Sequence, residues 1–384
     1  MHEVMAGHVE GGRMPGLVTL VSRRGEVVVD AIGTLAFGGG AAMKRDTIFR
    51  IASMTKPITA AAAMVLVEEC VLRLDDPVDR FLPELAERRV LTRLDASLDE
   101  TVPAPRRITL RDLLTFRLGI GLVLAPPGQY PIQKAMEEAG LIPGMFAPGL
   151  TPDLYLERLG RLPLIHPPGE RWLYHTGSDV LGVLIERASG QPLEEFLRDR
   201  ILAPLGMKDT GFFVPEQKIG RLPPSYASDS KHAPIVRDEA RGGAYSKAPS
   251  FASGGAGMVS TADDYHAFCR MLLGHGRLGR TRVLSRPSVE LMTQNHVTPE
   301  QKGGSVVLGP RLGWGFGLAV VIRRDSIEDT PGRFGWDGGR GTSAWSDPSE
   351  DLVGILMSQR HLDSPEPPAL FRDFWTSAYQ AIHD

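Results

Sequence analysis

A ten-residue apolar run, Ile58 to Val67, begins just after the tetrad Ser53-Met54-Thr55-Lys56. The run is too short to span a bilayer and fits a buried helix. A helix starting at Ser53 puts the serine and Lys56 three residues apart on one face, within reach of each other. At a helix start the backbone N–H groups lack partners and the dipole favours developing negative charge. A serine there, beside a lysine that can lose its proton in a desolvated site, is an activated nucleophile. A second tetrad of this kind, Ser228-Asp229-Ser230-Lys231, lies in a polar, Pro-flanked stretch with no apolar helix behind it. The first is therefore the candidate.

With 384 residues the chain can bury a large core and divide into about two structural units. Apolar content of 42% and charged content of 23% are those of a soluble globular protein. A net charge of −3, with no basic block, gives no footprint for nucleic acid or for an anionic membrane. Residues 1–12 lack an apolar signal core, and Cys70 and Cys269 are far apart, as expected for thiols in a reduced cytoplasmic protein. No H-E-x-x-H and no Cys/His cluster occur, so no metal or other cofactor is expected. The chain has no G-x-S-x-G, which excludes a nucleophile elbow, and no Gly-Lys for a phosphate loop.

Leu17–Ser22 and Val27–Ile32 read as a β-hairpin, and Arg333–Trp336, Gly341–Asp347 and Asp351–Gln359 as three consecutive strands. Helices are predicted over 53–71, 110–116, 153–162, 179–189, 193–201, 261–273 and 368–382, with a new helix start near Pro77. The fold class is α/β in the α+β sense: an antiparallel sheet flanked by helices, built from the two ends of the chain, with a mostly helical insertion. The expected division is 1–75 with 252–384 against 76–251, the site lying between them. Two Pro/Gly-rich stretches, Ala125–Gly149 and Gln217–Phe251, are candidates to frame a cleft.

A nucleophilic serine needs a proton acceptor and an oxyanion hole. Tyr174 lies on a loop at a helix start, and a lysine nearby would ease its ionisation. Glycines after a probable strand, in Phe334-Gly335-Trp336-Asp337-Gly338-Gly339, let a backbone N–H approach a substrate oxygen. Together with Phe49–Lys56, Arg73–Val78, Ile108–Thr115, Pro168–Tyr174, Pro204–Met207 and Gly254–Thr261, these motifs resemble the serine hydrolases of the class C β-lactamase and penicillin-binding-protein fold. Among them the chain looks most like the family VIII carboxylesterases.

The resemblance implies Ser53 as nucleophile, Lys56 as its proton-shuttling partner, and Tyr174 as general base and activator of water. It also implies an oxyanion hole from the Ser53 and Gly339 amides. Trp336, Asp337, Gly338, Leu118 and His175 are expected to form the substrate pocket, for a small-molecule ester. The departures are informative. Penicillin-recognising relatives carry Tyr-x-Asn or Ser-x-Asn, then Lys-Thr-Gly; here Tyr174-His175-Thr176 and Trp336-Asp337-Gly338 stand instead, and Asn295 is the one asparagine. A buried carboxylate without its partner loses about 2–5 kcal/mol of binding, so an uncharged ester is favoured over a β-lactam. Pro57 lacks an N–H, which predicts an irregular first turn.

Overall fold

The computed structural model describes residues 1–384. A seven-stranded antiparallel sheet is assembled from both ends of the chain. Its strands are β1 (Gly16–Arg23), β2 (Glu26–Gly33), β3 (Leu312–Trp314), β4 (Ala319–Val321), β5 (Phe334–Gly338), β6 (Thr342–Asp347) and β7 (Leu352–Ser358). They lie in the order β3-β4-β5-β6-β7-β1-β2, so the N-terminal hairpin joins the C-terminal meander through β1 and β7, with Leu17 opposite Ser358. β6 and β7 are buried at every position, as central strands covered on both faces must be. One face is covered by the helix Ala262–Leu273, the other by Ala369–Tyr379 and the N-terminal helix His2–Glu10. Gly354 in β7 allows this: a Cβ there would stand 2.5 Å from the Trp375 ring.

The apolar run forms the helix Thr55–Glu68, buried from Thr55 to Leu66. Its start is irregular, as Pro57 predicts: Ala52–Met54 form a 3-10 turn, and Pro57 falls in the first α-turn where its missing N–H is harmless. Ala52 has φ +43°, a left-handed conformation that costs about 1–2 kcal/mol for a residue with a Cβ. Side chains lock the helix down. Thr55 Oγ1 accepts from the Met258 amide at 3.1 Å, Thr59 Oγ1 donates to the Gly254 carbonyl at 2.9 Å, and the Tyr265 hydroxyl donates to the Met54 carbonyl at 2.9 Å.

Several local expectations need correcting. Pro77 opens only a single 3-10 turn, Val78–Arg80, because Pro83 follows too closely for a helix. Residues 2–10 form a helix that periodicity alone does not announce; it is held on the C-terminal helix by His8 Nε2 and Asp373, 2.8 Å apart. Gln217–Phe251 contributes nothing to the main cleft. It contains a hairpin, Ser225–Ser228 with Pro234–Asp238, whose Asp238 meets the buried Arg50 Nε at 2.6 Å. The second serine–lysine tetrad lies at that hairpin's turn, with Lys231 exposed. No helix is long and apolar enough to cross a membrane.

Candidate active site

Ser53 sits 6% exposed at the foot of a cleft of about 390 Å³, and Lys56 is fully buried beneath it. Lys56 Nζ is hydrogen-bonded to Ser53 Oγ at 3.0 Å, donating to it as the ammonium and accepting from it as the free amine; it donates to the Gly255 carbonyl at 2.7 Å and lies 3.2 Å from His175 Nδ1. Burial holds its pKa down to about 7, with the Asp179 charge opposing. At neutral pH a substantial fraction of Lys56 is therefore the free amine, pointed at the serine.

Tyr174 completes the group in a way the sequence did not anticipate. Its hydroxyl accepts from Trp336 Nε1 at 2.6 Å and shares the cleft with Ser53, while Lys56 Nζ lies 4.6 Å over the ring centroid. The ring is nested among Trp172, Phe116, Trp314 and Trp336. Burial in that nest raises the phenol pKa well above its ordinary value, outweighing the opposing influence of Ser53 and Trp336. Burial thus opposes the expected easing of ionisation and favours the protonated phenol.

Strand β5 carries the opposite wall. Trp336 lines the cleft, and Gly339 follows at the turn, facing Met145 of the 125–149 loop so closely that a Cβ there would collide with its sulfur. The amides of Ser53 and Gly339 make no bond to a backbone carbonyl among the turns and loops. The rest of the wall is mainly apolar, including Leu122, Met145, Val307, Leu312 and Trp345.

Not every expected pocket residue is there. Leu118 is completely buried and packs towards Gly177; the segment turns at Gly119 (φ +102°), and Leu122 reaches the cleft in its place. Gly338 lies under the nucleophile turn, against the Ile51 carbonyl, and is absent from the lining. Asp337 borders the cleft, yet its carboxylate accepts from Ser343 Oγ at 2.5 Å and Trp345 Nε1 at 2.9 Å, facing neither solvent nor an incoming anion freely. His175 borders the cleft with its ring turned towards Lys56 and Asp179. Asp179 was missed; its signal was the His175-to-Asp179 spacing of four at a helix start.

Comparison with known proteins agrees with this fold. The Beta-lactamase family model matches residues 1–373. Rv1367c of Mycobacterium tuberculosis is 40% identical over 359 residues, covering 91% of this chain and 87% of that protein. Esterase EstB of Burkholderia gladioli is 32% identical over 377 residues, covering 93% and 88%. Among solved structures, EstCE1, described as a hydrolase with promiscuous acyltransferase activity, superposes with a TM-score of 0.82 at 27% identity, covering 98% of this chain and 97% of that one. Fold and site define a serine hydrolase of the penicillin-binding-protein and class C β-lactamase type. The chain belongs to the Beta-lactamase family, on its esterase-like side.

Proposed function

We propose that the protein is a serine carboxylesterase that cleaves small to medium, uncharged esters through an acyl-Ser53 intermediate. Lys56, as the free amine, takes the Ser53 hydroxyl proton while Oγ adds to the ester carbonyl carbon. The resulting oxyanion is held by the Ser53 and Gly339 amides. On collapse the bond to the alcohol oxygen breaks, and the departing alkoxide takes a proton from the Lys56–Tyr174 pair. Water then gives a proton to that pair as it attacks the acyl carbon; on collapse the bond to Ser53 Oγ breaks, the pair returns the proton to Oγ, and the acid leaves. Tyr174, a phenol beside Ser53 in the cleft and bonded to Trp336, acts as the relay between Lys56 and the leaving group.

The observation that carries this reading is a buried amine 3.0 Å from a serine oxygen that faces an apolar cleft. The esterase names of EstB and of the Penicillium rubens lovastatin esterase, 30% identical over 349 residues, support an ester substrate. An alcohol in place of water gives acyl transfer from the same intermediate, and EstCE1's promiscuity favours that as a second reading. We also propose that 1–75 with 252–384 and 76–251 are two structural units. The cleft draws Ser53, Leu312 and Trp336 from the first and Leu122, Met145 and Tyr174 from the second. A panel of nitrophenyl esters, a chromogenic cephalosporin and D-Ala amides tests the substrate class. Faster turnover of the cephalosporin than of short esters reverses it.

A further inference from the structure

Lys56 Nζ has three neighbours able to accept its protons, and two of them are fixed. The Gly255 carbonyl, 2.7 Å away, can only accept. His175 Nδ1, 3.2 Å away, is made an acceptor by what happens on the other side of the ring. There, Nε2 lies 3.1 Å from Asp179 Oδ2, so Nε2 carries the proton and Nδ1 its lone pair. Asp179 is itself held by acceptance from Ser253 Oγ at 2.6 Å and the Gly255 amide at 3.0 Å. All of these groups are buried.

The backbone at His175 is strained to achieve this. With φ +84° and ψ −64° it is the centre of a γ-turn closed by the Thr176 amide on the Tyr174 carbonyl at 3.3 Å. A non-glycine residue held there is strained, and such strain concentrates at functional sites. The turn aims two consecutive side chains, Tyr174 and His175, at Ser53 and Lys56.

We infer that Asp179 and His175 are positioning residues that hold the neutral Lys56 amine with its lone pair directed at Ser53. A neutral amine has two N–H bonds and one lone pair. With both N–H bonds taken by Gly255 O and His175 Nδ1, only the lone pair remains for the serine hydroxyl. Without the histidine acceptor the amine rotates, points an N–H at Ser53 Oγ, and is unproductive. After proton transfer, the ammonium's third N–H returns to Ser53 Oγ or the leaving group, so the same frame serves both states. The ionisable groups facing the His175 ring are Lys56, Asp179 and Tyr174; burial first, then Lys56, lowers its pKa and keeps it neutral.

The inference rests on the Ser53 chemistry proposed above, and its test separates the two. Asp179→Asn, His175→Phe and His175→Asn are compared on a nitrophenyl ester from pH 5 to 9.5. In Asp179→Asn the amide nitrogen facing Nε2 forces the other tautomer, whose Nδ1–H opposes Lys56. Expected are a kcat lowered about 100-fold or more, KM within about threefold, and an acid limb shifted to lower pH as the Asp179 charge is lost. His175→Phe loses the acceptor and falls by about as much, whereas His175→Asn restores one and returns to within about tenfold of wild type. A Phe variant within threefold of wild type, or Phe and Asn variants equally slow with an unmoved pH limb, overturns the inference. ¹⁵N NMR of the unaltered protein at pH 8 tests it without substitution: a proton on Nδ1 in place of Nε2 overturns it. If Ser53 still takes up an acyl group while His175→Phe is fast, only this inference fails. If Ser53→Ala keeps wild-type turnover, the esterase reading fails first.

Discussion

Replacing Lys56 by Met should stabilise the protein while abolishing its activity, and the gain should depend on pH in a calculable way. The Lys56 pKa falls from its ordinary 10.5 to about 7 on folding, chiefly through burial. Between those values the unfolded chain binds a proton that the folded one does not. Wild-type stability therefore rises with pH across that window, at about 1.4 kcal/mol per unit for this one group. Met has similar volume and no charge, so the difference in unfolding free energy between variant and wild type isolates Lys56. The Met variant's advantage should shrink by roughly 2 kcal/mol from pH 7 to pH 9 and level off below about pH 6. Guanidinium denaturation of both proteins at pH 6, 7, 8 and 9 measures it. A difference that stays constant across this range shows that Lys56 keeps an ordinary pKa in the fold, and the free-amine mechanism is then wrong.

Three further outcomes are expected. The kcat/KM for a nitrophenyl ester should rise about tenfold per pH unit below a midpoint near 7, where Lys56 loses its proton, and then level off; a flat profile from pH 5 to 9 contradicts this. Trp336→Phe keeps an aromatic wall and removes the 2.6 Å donation to the Tyr174 hydroxyl, so kcat should fall about tenfold with the melting temperature little changed; unchanged kcat removes Trp336 from the site's machinery. Asp238→Ala leaves the buried Arg50 without its 2.6 Å partner and Arg340 with no nearby carboxylate, a loss of about 3–5 kcal/mol readable in a denaturant titration.

Most of the sheet, though not the edge strand β3, was legible in the sequence because its strands alternate or run apolar between clear turns, as at Arg23-Arg24-Gly25-Glu26 between β1 and β2. The nucleophile helix was legible too, down to its irregular start at Pro57. The left-handed Ala52 and His175 were not, since neither is a glycine and their conformations are imposed by surrounding structure. The sign of the Tyr174 shift was misread for a related reason. A nearby lysine can be seen in a motif, but a nest of four aromatic side chains cannot when three of them, Phe116, Trp314 and Trp336, come from distant segments. Leu118 and Leu122 differ by four residues, and only the turn at Gly119 decides which one meets substrate.

Covalent acyl uptake at one serine is the claim on which the mechanism depends. Intact-mass spectrometry after brief exposure to an activated ester, followed by peptide mapping, tests it most directly. One acyl group per chain, on the peptide containing Ser53 and absent from Ser53→Ala, is the predicted result. An unmodified protein that nonetheless turns the ester over, or an adduct on any other residue, contradicts it.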